Sequence, residues 1–164
     1  TQRTTHYIGK ELAKYMIFTG KILDAKSAEI IGLVDYISKP DEIDNKISEL
    51  VKENNIKKKT KEEVKLPENF QKIKNYFTDA NIQSVLSGSK DLDEIGQKIS
   101  KTISYKAPIA IKLANKIIDE GSKLDLKKGL EVELSHLSEI FSTKDALEGL
   151  NSVIKRQRPN FVGK

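Results

Sequence analysis

The sequence predicts a mainly α-helical fold with one short strand near residues 33–37. Three observations carry this. Apolar residues recur at spacings of three and four along most of the chain, the repeat that lines one face of a helix. Glycine, proline and capping side chains fall between those runs, where helices must stop and start. Only Leu33-Val34-Asp35-Tyr36-Ile37 has the short β-branched and aromatic character of a strand, closed by Pro40.

The elements follow in order. A helix from Gly9 to Phe18 carries Leu12, Tyr15 and Met16 on one side and ends at Thr19-Gly20, where glycine suits a left-handed cap. Asp24 caps a short helix over Ala25–Ile31, stopped by Gly32. Ile43, Ile47, Leu50 and Val51 form a stripe on a helix starting near Asp41. The run Asn54 to Lys61 is polar and basic and reads as a solvated linker. Pro67 opens a helix with Phe70, Ile73 and Phe77 on one face. Ile82, Val85 and Leu86 mark a short helix that breaks at Ser87-Gly88-Ser89, and Leu92, Ile95 and Ile99 a further one.

The last third is the most regular. Ala107-Pro108 starts a helix bearing Ile109, Leu113 and Ile117, which ends near Gly121. One long helix is expected from Leu124 to Phe141, with Leu126, Leu130, Leu134, Leu137 and Phe141 in register. Ser142-x-x-Asp145 reads as a capping box for a final helix whose Leu147, Leu150 and Val153 face inward, with Pro159 ending it. Three regions are expected: 1–40, 41–106 and 107–164.

Charge and composition narrow the function. The net charge of +5 comes from lysine, since only Arg3, Arg156 and Arg158 are arginines, and it suits an anionic, phosphate-bearing partner. Nucleic acid is not expected, because the lysines are interspersed with 24 acidic residues and no aromatic groups interleave with them. No apolar run is long enough to span a membrane. The absence of cysteine excludes thiol chemistry and points to the cytoplasm. The chain begins at Thr1 rather than Met, as a piece of a larger chain would.

Few groups suggest chemistry. His6 and His136 lie in no metal-ligand spacing, so no metal site is expected, and His136 reads as a packed or rim residue. Glycine-rich phosphate and dinucleotide motifs and the serine-hydrolase elbow are missing. Carboxylate pairs such as Glu62-Glu63 and Glu131 with Glu133 fall on polar helix faces, where a structural role is the better expectation.

Three blocks then point to a family. Thr1-Gln2-Arg3 with Ile8-Gly9 and Ala13 comes first; Ile17-Phe18-Thr19-Gly20 through Asp24-Ala25, Ala28 and Gly32-Leu33-Val34 comes second. The third holds Ala107-Pro108, Gly129-Leu130-x-x-Glu133, Thr143-x-Asp145-x-x-Glu148-Gly149 and Arg158-Pro159-x-Phe161. In this order the blocks resemble the crotonase superfamily of enoyl-CoA hydratases and isomerases. The resemblance implies a helical, trimerisation-type C-terminal subdomain of a crotonase fold, from a parent that hydrates enoyl-CoA to 3-hydroxyacyl-CoA in fatty-acid metabolism.

It also implies that the two catalytic glutamates and the oxyanion-hole N–H groups lie before Thr1. No catalytic residue is therefore assigned, the chain alone is expected to be inactive, and it requires no cofactor. Acyl-CoA is the parent's substrate. By the same resemblance the last helix offers Val153 and Arg156 to CoA, with Lys155 and Arg158 adding positive field; Val153 replaces the family's usual phenylalanine. The bland reading of these cations is a basic helix end favouring the helix dipole.

Between Val34 and Ala107 the chain is longer than ordinary hydratases, chiefly over 57–88. This is similar to hydratase parts fused behind a 3-hydroxyacyl-CoA dehydrogenase, and less so to 3-hydroxyisobutyryl-CoA hydrolases. The extension either covers the active-site mouth or pads the surface. Expected partners are a homo-oligomer or the missing N-terminal half. Two readings of other classes stand beside the enzyme part: a helical oligomerisation module without ligand, and an unrelated helical adaptor.

Overall fold

A computed structural model describes residues 1–53 and 64–164; the expected linker at Asn54 to Lys61 lies outside the described residues. The described residues form helices α1 (Gln2–Ile8), α2 (Lys10–Thr19), α3 (Ala25–Ile30), α4 (Ile43–Glu53), α5 (Glu68–Tyr76), α6 (Ile82–Ser87), α7 (Glu94–Ile103), α8 (Pro108–Gly121), α9 (Leu126–Ser135), α10 (Leu137–Phe141) and α11 (Lys144–Lys155). A single 3-10 turn, Pro40–Glu42, leads into α4.

Helix α2 is the axis of the fold. One side of it, with Phe18, packs into a cluster of Phe77, Ile82, Val85, Ile99, Ile103 and Ile118. Its other side, with Leu12 and Ala13, packs with Ile8, Ile31 and Phe70. Phe77 meets Tyr15 and Phe18 edge-to-face, with ring centroids 5.9 and 6.1 Å apart. Phe77, Ile82 and Val85, from the stretch between Val34 and Ala107, are therefore part of the core.

Several stops follow the expected chemistry. Gly20 ends α2 in the left-handed region at φ 66°. Asp24 caps α3 by accepting from the Ser27 N–H, and Asp93 and Asp125 cap α7 and α9 in the same way.

The differences are equally physical. The strand expected at 33–37 does not form. The N–H groups of Leu33 and Val34 both turn back to the carbonyl of Ala28, which closes α3 and leaves them no ladder to join. The expected long helix of 124–141 is two helices, interrupted at His136 (φ −95°, ψ 0°). Ser142 does not cap α11; Thr143 does, accepting from the Ala146 N–H at 3.1 Å, because Asp145 is used elsewhere. Leu147, Leu150 and Val153 do not face inward: they are exposed, as are Leu134 and Phe141. Their apolar spacing makes an amphipathic face, but among the described residues nothing lies over it.

Candidate functional site

The last helix and the tail after it form a clasp. Asp145, only 2% exposed, accepts from the backbone N–H of Val162 at 2.8 Å and of Gly163 at 2.9 Å. Glu148 accepts from the Asn160 N–H at 2.9 Å and from the Ser152 hydroxyl at 3.2 Å. The Phe161 ring packs beside Gly149, where a Cβ would make ordinary contact with it at 3.6 Å. The acidic residues of the closing sequence block therefore hold the chain's own backbone. Each carboxylate takes donors that would otherwise lack partners, a use that needs no substrate.

The four residues expected to meet CoA lie at the open end of this clasp. Val153 and Lys155 occupy the last turn of α11, and Arg156 and Arg158 follow it; all four are exposed. Arg156 sits in the left-handed region at φ 52°, ψ 42°. Its N–H donates to Val153 O at 3.2 Å, while the Gln157 N–H donates to Ser152 O at 3.0 Å. This paired closure is the Schellman ending, usually made by glycine. No glycine marks it here, so sequence reasoning missed it. Val153 is 78% exposed, an apolar side chain presented outward beside these cations.

The opening and closing blocks meet at Gln2. The buried Gln2 side chain donates to Ile117 O at 2.7 Å, and its backbone N–H donates to Glu133 at 2.9 Å. Gly121 and Gly129 clear its space: a Cβ would lie 2.2 Å from Gln2 Oε1 at the first and 3.2 Å at the second. Burial pushes the Glu133 carboxyl up, but hydrogen bonds from Gln2 and Thr1 outweigh it and hold the group below its ordinary value. Glu133 is thus kept charged as an anchor for α1.

A second ionic centre ties α2 to α8. Lys14 is wholly buried, and its Nζ lies 2.6 Å from Asp119 Oδ1. Lys10 stands 3.6 Å from the same carboxylate and 2.6 Å from Asp79. The hydrogen bond to Asp79 raises the Lys10 pKa, and Asp79 is lowered in turn. A third cluster joins α5 to α7: Tyr76 donates to Asp93, which also pairs with Lys72 at 2.8 Å. Asp93 is held well below the usual carboxylate range, first by the Gly96 N–H and then by Lys72 and Tyr76. His136 lies at the break before α10, its Nδ1 2.8 Å from Glu139. Among the described residues no group of three or more His, Asp or Glu side chains could hold a metal. No helix among them is long and apolar enough to cross a membrane.

Comparison with known proteins agrees with these blocks. A family model described as enoyl-CoA hydratase/isomerase matches residues 3–163. The chain is 26% identical over 163 residues to "Probable enoyl-CoA hydratase 2, mitochondrial" of Arabidopsis thaliana, covering 99% of this chain and 38% of that protein. It is 26% identical over 152 residues to a "Short-chain-enoyl-CoA hydratase" of Clostridioides difficile, covering 93% and 66%. It is 22% identical over 164 residues to a "Crotonyl-CoA hydratase" of Syntrophomonas wolfei, covering 100% and 44%. The chain spans about two-fifths of the length of the first curated relatives it matches. No solved structure matches it. With residues 3–163 matched, nearly its whole length, the chain belongs to the enoyl-CoA hydratase/isomerase family of the crotonase superfamily.

Proposed function

We propose that this chain supplies the C-terminal helical part of a hydratase that adds water across the double bond of an enoyl-CoA, and that it does not perform the reaction alone. Its role is assembly and an outer contact to CoA. The observation that carries this reading is the exposed apolar face running from Leu134 and Phe141 to Leu150 and Val153, next to the cations Lys155, Arg156 and Arg158. Large apolar side chains exposed in this number are normally covered by protein. The cover is a second copy or the portion carrying the acyl-CoA core. Arg156, exposed at the end of α11, would hold a CoA phosphate, while Val153 would lie against the nucleotide.

Two measurements test this. Loss of crotonyl-CoA absorbance is expected to stay at the background rate with this chain alone; hydration at an enzymatic rate would defeat the assembly reading. Sedimentation is expected to show self-association through α9–α11, and Phe141→Glu to abolish it. A monomer in which dyes find no apolar surface would defeat the assembly reading.

A 3-hydroxyisobutyryl-CoA hydrolase-like parent is the second reading. It is supported by the length of the stretch between Val34 and Ala107. A dehydrogenase fusion suits the same extension. Release of free CoA thiol by the parent separates hydrolase from hydratase, and reduction of NAD identifies the fusion.

A further inference from the structure

We infer that Glu148 is a positioning residue for the CoA contact proposed at Arg156 and Arg158, an inference that rests on that reading of the helix end. Its Oε1 bridges two donors, the Ser152 hydroxyl on α11 at 3.2 Å and the Asn160 N–H of the tail at 2.9 Å. These two attachment points bracket Lys155, Arg156 and Arg158. Ser152 is a fixed post: it is 2% exposed, and its carbonyl also accepts from the Gln157 N–H at 3.0 Å. Pro159 removes a further backbone freedom just before Asn160. The segment 153–159 is thus a short loop closed at both ends, with its cations exposed.

Both bonds go to neutral groups, and among the described residues Glu148 forms no ion pair with the neighbouring cations. By its charge alone, a carboxylate beside these cations works against an anionic ligand. Its contribution to binding is geometric: cations on a closed loop need less ordering when a phosphate arrives than cations on a free tail. Asp145 supplies the contrast. It accepts from the N–H groups of Val162 and Gly163, beyond the cations, so it secures the tail without closing the loop.

Calorimetric titration of the full chain with CoA, paired with thermal unfolding of each variant, tests the assignment. Glu148→Ala should weaken CoA binding about fivefold, the cost of ordering one long side chain that was held before. Field alone predicts the opposite sign, because the substitution removes a negative charge beside the cations. Glu148→Gln keeps an acceptor for the Asn160 N–H and should restore most of the affinity. Ser152→Ala unties Glu148 from α11 and should weaken CoA binding in the same direction. Asp145→Asn should lower the melting temperature with CoA affinity unchanged. In an Arg156→Ala background, the further loss from Glu148→Ala should shrink, as coupled residues require. Unchanged or tighter binding in Glu148→Ala where Arg156→Ala loses affinity, or a loss matched by Asp145→Asn, would overturn the positioning role and leave the CoA contact standing. Unchanged affinity in Arg156→Ala, or no saturable CoA binding by the unsubstituted chain, would overturn the contact and the inference together.

Discussion

The side-chain amide of Gln2 stands where a Cβ on Gly121 would have to go, with Oε1 only 2.2 Å from that position. Gly121→Ala must displace a buried side chain that donates to Ile117 O. The loss of that bond costs about 1–3 kcal/mol. Alanine's better helix propensity offsets up to about 1 kcal/mol of it. A net destabilisation of about 1 kcal/mol is expected in urea unfolding. Gln2→Ala relieves the clash, so the double variant should fall short of the sum of the two single losses.

The buried pair of Lys14 and Asp119 predicts an asymmetry. Asp119→Asn leaves a wholly buried ammonium without its carboxylate, a loss of about 3 kcal/mol or more. Lys14→Met removes the buried charge itself, and Lys10 at 3.6 Å still faces Asp119. Its cost should be clearly smaller. Equal losses in thermal unfolding would show that the Coulombic pairing does not govern this contact.

These two centres also show how far the sequence was legible. Gly20, Asp24 and the burial of Phe70 and Phe77 were readable because capping and helical periodicity are local properties, although the two phenylalanines enter different clusters. The blocks around Gln2, Glu133 and Asp145 were recognisable as a pattern, but their physical use was not. They act between residues more than a hundred positions apart, or by a tail doubling back on α11. Local reading failed where tertiary demand overrode it. Leu33 and Val34 look like a strand, yet their N–H groups close α3. Leu147 and Leu150 have core spacing, yet periodicity reports an apolar face and not what covers it. Arg156 breaks the glycine rule for a helix end, so nothing local announced its conformation.

Tyr76 and Asp93 predict a fold strained at both ends of the pH scale. Burial first, then the hydrogen bond to Asp93, pushes the Tyr76 phenol up to about 12. A raised folded value stabilises fully below the unfolded value near 10 and is lost as pH rises through about 12. Asp93 is lowered, so its contribution is present above the unfolded carboxylate value and disappears as pH falls through the folded one. Melting temperature should decline on both limbs. Tyr76→Phe should flatten the alkaline limb, and Asp93→Asn should bring phenolate absorbance to lower pH. An alkaline limb unchanged by Tyr76→Phe would remove this tyrosine from the account.

Arg156 sets stability against binding. A left-handed conformation costs a residue with a Cβ about 1 kcal/mol, and glycine avoids that cost. Arg156→Gly should therefore stabilise the fold by about 1 kcal/mol, since the Schellman bonds use only backbone atoms. Arg156→Ala retains the strain and loses the guanidinium, so it should show no such gain. If Arg156 holds a CoA phosphate, both variants should weaken CoA binding about tenfold in calorimetry, although one folds better than the parent. A gain in stability with unchanged CoA affinity would make the residue a helix end that happens to carry charge. A gain joined to lost affinity would give the strained conformation a function: it turns the side chain off the helix and toward the ligand.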